Sequence, residues 1–391
     1  MAISAPAFTL ARASSATRIN ASGFIETIAS NLPRWDYDPA SLVLRGLRVE
    51  EGSTNLLLDS RDLMTTWDVN AVTVTANADT SMDGTVNATS IADNSAIVVG
   101  RRGQNVGVAA DTTTVYCFSV YIKKTGAPSF YPAIATNLGN LRVAILNTQT
   151  GTVAFAANAN IIAVGTIDAG AYWRLYIAAK NENSSSCGCN LYPSWNLDGA
   201  TAANVLPTGT TIFDRAQLEV GSFPTSYIPT VASQVSRVAD ILTANTAGFL
   251  TASRGTIWGE AIPSGAGSAE KILMQLDDGT QSNRINLART TGGAYKSEVF
   301  SGGASVDSKT SGAWALLAKK KFALAYALND FAISIDGGAA ITSASGTPPA
   351  SLPTIRAGNN ATPNSSFNGW LSRLRYYNAR LANADLQLIT A

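Results

Sequence analysis

The chain has 391 residues, enough for two to three domains, with 28 basic and 27 acidic residues, a net charge of +1 and only 14% charged residues. That balance leaves no basic excess to hold nucleic-acid phosphates. The absence of histidine excludes a nucleophile–histidine–acid triad, and no run reaches the ~18 apolar residues of a membrane span.

Abundant Gly, Ser, Thr, Ala and Asn suit all-β domains with many tight turns, or a surface covered by neighbours in an assembly. Residues 1–55 scatter Phe8, Ile19, Phe24, Ile25, Trp35 and Tyr37 without helical or strand period, and Pro6, Pro33 and Pro39 interrupt them. Met1–Leu10 lacks a basic start, so no secretory signal is expected. Such a segment cannot bury enough surface alone to offset its ordering entropy. It is therefore expected to be irregular and to settle against a larger body, with Phe8, Phe24, Trp35 and Tyr37 as anchoring candidates. The plainer alternative is an extension packed on the first sandwich.

From 56 to 230 short alternating stretches succeed one another. Tyr116, Phe118, Val120 and Ile122 share one strand face, and Trp173, Leu175 and Ile177 share another. Leu141, Val143 and Ile145 run into Asn147–Gly151, a hairpin by composition. This pattern predicts a β-sandwich, most simply a jelly roll, with 56–58 and 216–220 close together as first and last strands. Phe213–Leu242 joins this sandwich to the C-terminal part of the chain. Ala216, Leu218 and Val220 alternate with Arg215, Gln217 and Glu219 as in a half-buried edge strand, and Pro224 and Pro229 mark a linker.

From 231 to 391 a second sandwich is predicted. Phe331, Ile333 and Ile335 lead into the turn Asp336-Gly337-Gly338. The run 370–377 alternates only if a bulge sits near Ser372 or Arg373. A short terminal helix completes the chain, with Asn383 as N-cap and Asp385 in its first turn.

Three stretches carry a resemblance: ASSATRINASGFIETIASNLPRWDYDP with GLRVEEGSTNLLLDS, AQLEVGSFPTSYIPT with SRVADIL, and the ending FNGWLSRLRYYNARLANADLQLIT. Together they resemble bacteriophage virion structural proteins of the tail-fibre, head-fibre or decoration type. In those proteins a carbohydrate-binding-like jelly roll precedes a concanavalin A-like, laminin-G-like domain. The resemblance implies a virion location and an N-terminal segment anchored on capsid, portal or tail proteins. It also implies a homo-oligomer, commonly a trimer, and sandwiches that meet a host surface glycan or only cement the particle.

Chemistry is sparse. Glycosidases need two carboxyl groups across a scissile bond, and the adjacent pairs Glu50-Glu51 and Asp277-Asp278 would point to opposite faces of a strand. No enzyme activity is expected, a cryptic glycan hydrolase being the lesser alternative. No cofactor is expected either. Calcium at Asp277, Asp278 and Asn283 is weighed against a polar hairpin whose side chains bond their own turn, and the hairpin is favoured. Cys187-Gly188-Cys189 would be half a zinc site, yet further ligands are lacking, so Cys117, Cys187 and Cys189 are expected as free thiols, the pair in a loop. Glycan binding calls for aromatic faces beside planar polar groups. Tyr192, Trp195 and Asn196 in NLYPSWNLDG, with Tyr295 and Trp314, are the candidates. Trp195 leads because Pro193 and Gly199 mark its stretch as loop.

Overall fold

A computed structural model describes residues 7–197, 207–265, 269–362 and 365–391. Nearly every element is a strand, and the all-β class holds. Two sandwiches have separate cores, and the first lies in sequence between N-terminal and C-terminal strands of the second, rather than simply before it.

The first packs two six-stranded antiparallel sheets. One runs, in spatial order, Ile161–Ala169, Tyr172–Lys180, Val115–Lys123, Gly209–Val220, Val86–Asp93 and Val72–Thr80. The other runs Val153–Ala154, Leu141–Leu146, Tyr131–Asn137, Ser186–Asn196, Arg101–Gly107 and Asp68–Asn70. Period-two alternation sends Phe118, Val120, Ile122, Leu175, Ile177 and Leu218 from the first sheet into the same core as Ile134, Leu146, Cys187, Cys189 and Leu191 from the second. Gly209–Val220 lies between two strands rather than at an edge. Both its faces are covered, so Gln217 and Glu219 are buried. The two ends of this sandwich do meet: the Leu56 amide donates to the Leu218 carbonyl at 2.8 Å. The three thiols lie in buried strands, not a loop.

The second sandwich packs two seven-stranded sheets, and its core holds Trp314, Tyr295, Phe322, Phe331, Leu276 and Ile285. The expected hairpin is present, with Asp336 at φ 47° and Gly337 at φ 70°, the left-handed pair of a type I′ turn. The expected bulge falls at Ser372, since Glu260 pairs with Arg373 and Ala261 with Leu371. The helix Asn383–Thr390 starts one residue earlier than expected: Ala382 is its N-cap, without a side-chain bond, while Asp385 sits in the first turn.

The N-terminal region departs from its expected irregularity. Thr9–Ala11 pairs with Ile241–Asn245 at the edge of one sheet of the second sandwich. Leu44–Val49 pairs with Gly369–Tyr377 in the other, and Trp35–Tyr37 adds a further edge strand. Val49 is part of the second core, and Phe8, Leu10 and Leu47 pack on it. Both of the chain's own sandwiches order this segment: these edge strands join the second, while Ile25 packs with Met82, Tyr121, Ala169 and Tyr172 and donates its amide to the Met82 carbonyl at 2.7 Å in the first. Strands of three to six residues carry too little period to be recognised locally, and their partners lie some hundreds of positions away.

A buried ionic cluster fixes this arrangement. Glu50 receives the Arg34 Nη1 at 2.8 Å, the Arg48 Nη2 at 2.5 Å and the Arg237 guanidinium, together with the Ser226 amide at 2.8 Å and hydroxyl at 2.6 Å. Asp240 pairs with Arg12 at 2.8 Å and with Arg34. Burial alone would raise the Glu50 carboxyl, but Arg237, Arg48 and Arg34 outweigh it and hold the group well below the usual carboxylate range. N-terminal segment, linker and second-sandwich entry thus converge on two carboxylates.

Candidate functional site

The outer face of the sheet containing Ser186–Asn196 is the candidate site. On this strand Leu191, Cys189 and Cys187 point to the core, so Tyr192, Asn190 and Gly188 point outward. Between Tyr131 and Ala133 the register shifts: Tyr131 faces Asn196 while Ala133 faces Tyr192. The extra residues form a bulge that re-aims Trp195. Trp195 meets Tyr192 edge-on, ring centroids 4.7 Å apart at 70°. Tyr192 is buried beneath it, among Ala133, Ala135 and Ile145, with Val99, Tyr131 and Trp195 partly buried around them. The indole Nε1 of Trp195 is buried and has no hydrogen-bond partner among the described residues; a donor isolated in this way costs about 1–3 kcal/mol.

Beyond this aromatic end the face is flat and polar. Gly188 pairs with Asn105 on one side and Asn137 on the other. A Cβ at Gly188 would stand 3.0 Å from the Asn105 Oδ1, 3.3 Å from the Asn137 Cβ and 3.8 Å from the Asn190 Nδ2. The amides of Asn105 and Asn137 are exposed. Asn190 accepts from the Arg101 Nη1 at 2.9 Å, and Arg101 pairs with Asp68 at 3.1 Å. Burial pushes the Tyr192 hydroxyl up, with Arg101 opposing. A row of planar amides beside a half-exposed indole is suited to ring hydroxyls and C–H faces.

Of the sequence candidates, Tyr192 and Trp195 come together here. Asn196 does not join them, being fully buried and already engaged within the fold. Tyr295 and Trp314 are corrections: at 0% and 1% exposure they stack with Phe322 in the second core and present nothing to a ligand. Gly199 lies outside the described residues. Trp195 stands on a bulged strand rather than in a loop. Asn105, Asn137, Asn190 and Arg101 were missed. The alternation of Asn190 with buried cysteines was their only signal, because the neighbouring strands are identified only by pairing.

The calcium candidates do not converge. Asp277 is buried and takes the Arg356 guanidinium at 2.7 and 3.2 Å, whereas Asp278 accepts from Thr280 and from the Asn283 amide at 2.8 Å. This is the self-bonded hairpin geometry. Of the anchoring candidates, Phe8 packs on the second core and Phe24 lies against Gly84 of the first sandwich. Tyr37 is half-buried, and Trp35 is 45% exposed at the rim of a cavity of about 550 Å³ between the sheets of the second sandwich.

No family model matches the chain, and no curated protein sequence matches it. Solved structures that match parts of the chain include the CBM40 of a Ruminococcus gnavus IT-sialidase bound to alpha2,3 sialyllactose, at 17% identity and TM-score 0.31, covering 36% of this chain and 84% of that one. Domain 4 of AbnA, an extracellular arabinanase of Geobacillus stearothermophilus, matches at 12% identity and TM-score 0.32, covering 43% and 82%. Mouse laminin α1 LG4-5 matches at 12% identity and TM-score 0.28, covering 84% and 89%.

Proposed function

We propose that this chain is a non-catalytic glycan-binding protein that meets its ligand on the outer face of the Ser186–Asn196 sheet. The observation that carries the reading is Trp195: a bulge holds a half-exposed indole edge-on to Tyr192, next to a flat row of asparagines. Among the described residues this face carries one carboxylate, Asp68, engaged by Arg101, where hydrolysis needs two. The resemblance to phage virion proteins supports a place on the particle, where the sandwiches would project toward the host. A glycan array run on wild-type protein and on Trp195→Ala tests this reading. Binding that the substitution abolishes supports it, and undiminished binding refutes it.

The second reading, a structural fibre or decoration protein, is favoured by one observation. Leu32, Trp35, Leu42, Val43 and Leu44 are all exposed around the edge strand Trp35–Tyr37. An apolar sheet edge of this kind is what a further copy or another virion protein would cover. A trimeric assembly dissociated by Trp35→Asp and Val43→Asp, measured by light scattering, would support that role.

A further inference from the structure

We infer that the cleft between the two sandwiches binds a sugar carrying a carboxylate, of the uronic-acid type. It is a separate site, on the other sheet of the first sandwich from the Trp195 face. The cleft holds a cavity of about 170 Å³ closed by the first-sandwich sheet, the N-terminal strands, Phe223–Tyr227 and Trp370. Drug-sized ligands occupy upwards of ~300 Å³, so this space fits one ring-sized group.

Arg174 is the residue that selects the ligand. It is 5% exposed, and it forms no ion pair among the described residues. Its Nη1 donates to the Thr225 carbonyl at 2.6 Å, and its Nε and Nη2 donate to the Ser119 hydroxyl at 3.3 and 3.0 Å. Among the described residues that leaves one N–H on each Nη without a protein acceptor, donors of the kind a carboxylate accepts. Glu219 makes no direct contact with it: Thr225 stands between them, its carbonyl taking the Arg174 Nη1 while its amide and hydroxyl donate to the carboxylate. A buried guanidinium with no carboxylate in direct contact has N–H donors that an entering anion can take up.

The remaining lining agrees. Arg48 and Arg45 stand 4.2 and 4.7 Å from the Trp370 ring centroid, and the Arg48 Nε is buried without a partner. Arg18 lies beside them; Arg18 pairs with Glu26 at 3.0 Å, Arg45 with Asp38 at 2.6 Å and Arg48 with Glu50 at 2.5 Å, so these three cations are already balanced and Arg174 carries the selection. The facing carboxylates are occupied: Asp36 by the Ile19 amide, the Trp370 Nε1 and Arg48 at 3.7 Å, Asp168 by Lys124. Tyr121 and Tyr176 supply aromatic edges for the sugar ring.

The full chain is titrated with D-glucuronate, D-galacturonate, D-glucose and acetate at constant ionic strength, following tryptophan fluorescence and melting temperature. A saturable response to at least one uronate is expected, with glucose and acetate at least about tenfold weaker, a gap of about 1.4 kcal/mol. Arg174→Gln should weaken the uronate response by at least about tenfold while glycan binding at the Trp195 face persists. Arg45→Ala, which leaves the Glu50 cluster intact, should weaken it several-fold and carries the test if Arg174→Gln does not fold. No response to either uronate, an equal response to glucose, or one unchanged in both variants overturns the inference. Acetate as strong as a uronate overturns its sugar component.

Discussion

Replacing Glu50 by Gln should separate the second sandwich from its N-terminal strands more effectively than any surface change. The carboxylate is 1% exposed and faces Arg34, Arg48 and Arg237. Gln keeps the shape and one acceptor for Ser226 but leaves Arg34 with Asp240, Arg48 with Asp36 at 3.7 Å and, among the described residues, Arg237 with no carboxylate. Breaking a buried ion pair by removing one partner costs about 3–5 kcal/mol, and three affected cations place Glu50→Gln at the upper end. For a unit of roughly 150–250 residues that corresponds to a melting temperature lower by about 10–20 °C. Urea unfolding read by amide hydrogen exchange resolves the location: Gly369–Tyr377 should lose protection at lower urea than Val115–Lys123. The pH dependence has a definite sign. Because folding depresses the Glu50 pKa, its stabilisation is present above its ordinary value of 4.5 and is lost as pH falls below that. Wild type and Glu50→Gln should therefore converge in acid. A loss below about 1 kcal/mol at neutral pH, or parallel acid profiles, would refute the reasoning.

Asp214 should behave in the opposite sense. Burial raises its pKa from 3.8 to about 6, against the opposing pull of Arg215 and the Met82 amide. The folded state then holds the proton more tightly than the unfolded state, so stability from this group declines as pH rises from about 4 to about 6. Asp214→Asn should gain on wild type by up to about 3 kcal/mol between pH 4 and pH 7 in denaturant titrations, and a constant difference would contradict this. Cys117, Cys187 and Cys189 should resist thiol reagents in the native protein and react fully in denaturant, counted by mass spectrometry. Burial raises the Cys117 and Cys189 thiols well above their usual range. Gly188→Val should leave the melting temperature within a few degrees but fill the flat between Asn105 and Asn137, reducing glycan binding at least about tenfold.

The sandwiches were legible because alternation in 115–123, 172–180 and 330–335 is a local signal, as were the Asn147–Gly151 and Asp336–Gly338 turns. The bulge at Ser372 was legible as a fault in alternation. The N-terminal strands were not, since Thr9–Ala11 and Trp35–Tyr37 acquire meaning only from partners such as Leu242 and Leu47. Gln217 and Glu219 imitated a solvent face because a polar linker, not water, covers them. At the site, Trp195 was reachable from its Pro-bearing stretch. Tyr295 and Trp314 occupied similar sequence contexts and are core, a distinction that only burial makes.

The most direct test of the glycan-binding account is hydrogen exchange in the presence of a saturating array-positive glycan. Protection is predicted in Arg101–Gly107, Tyr131–Asn137 and Ser186–Asn196, and its loss in Trp195→Ala. Protection confined to the second sandwich, or none at all with ligand bound, would contradict it.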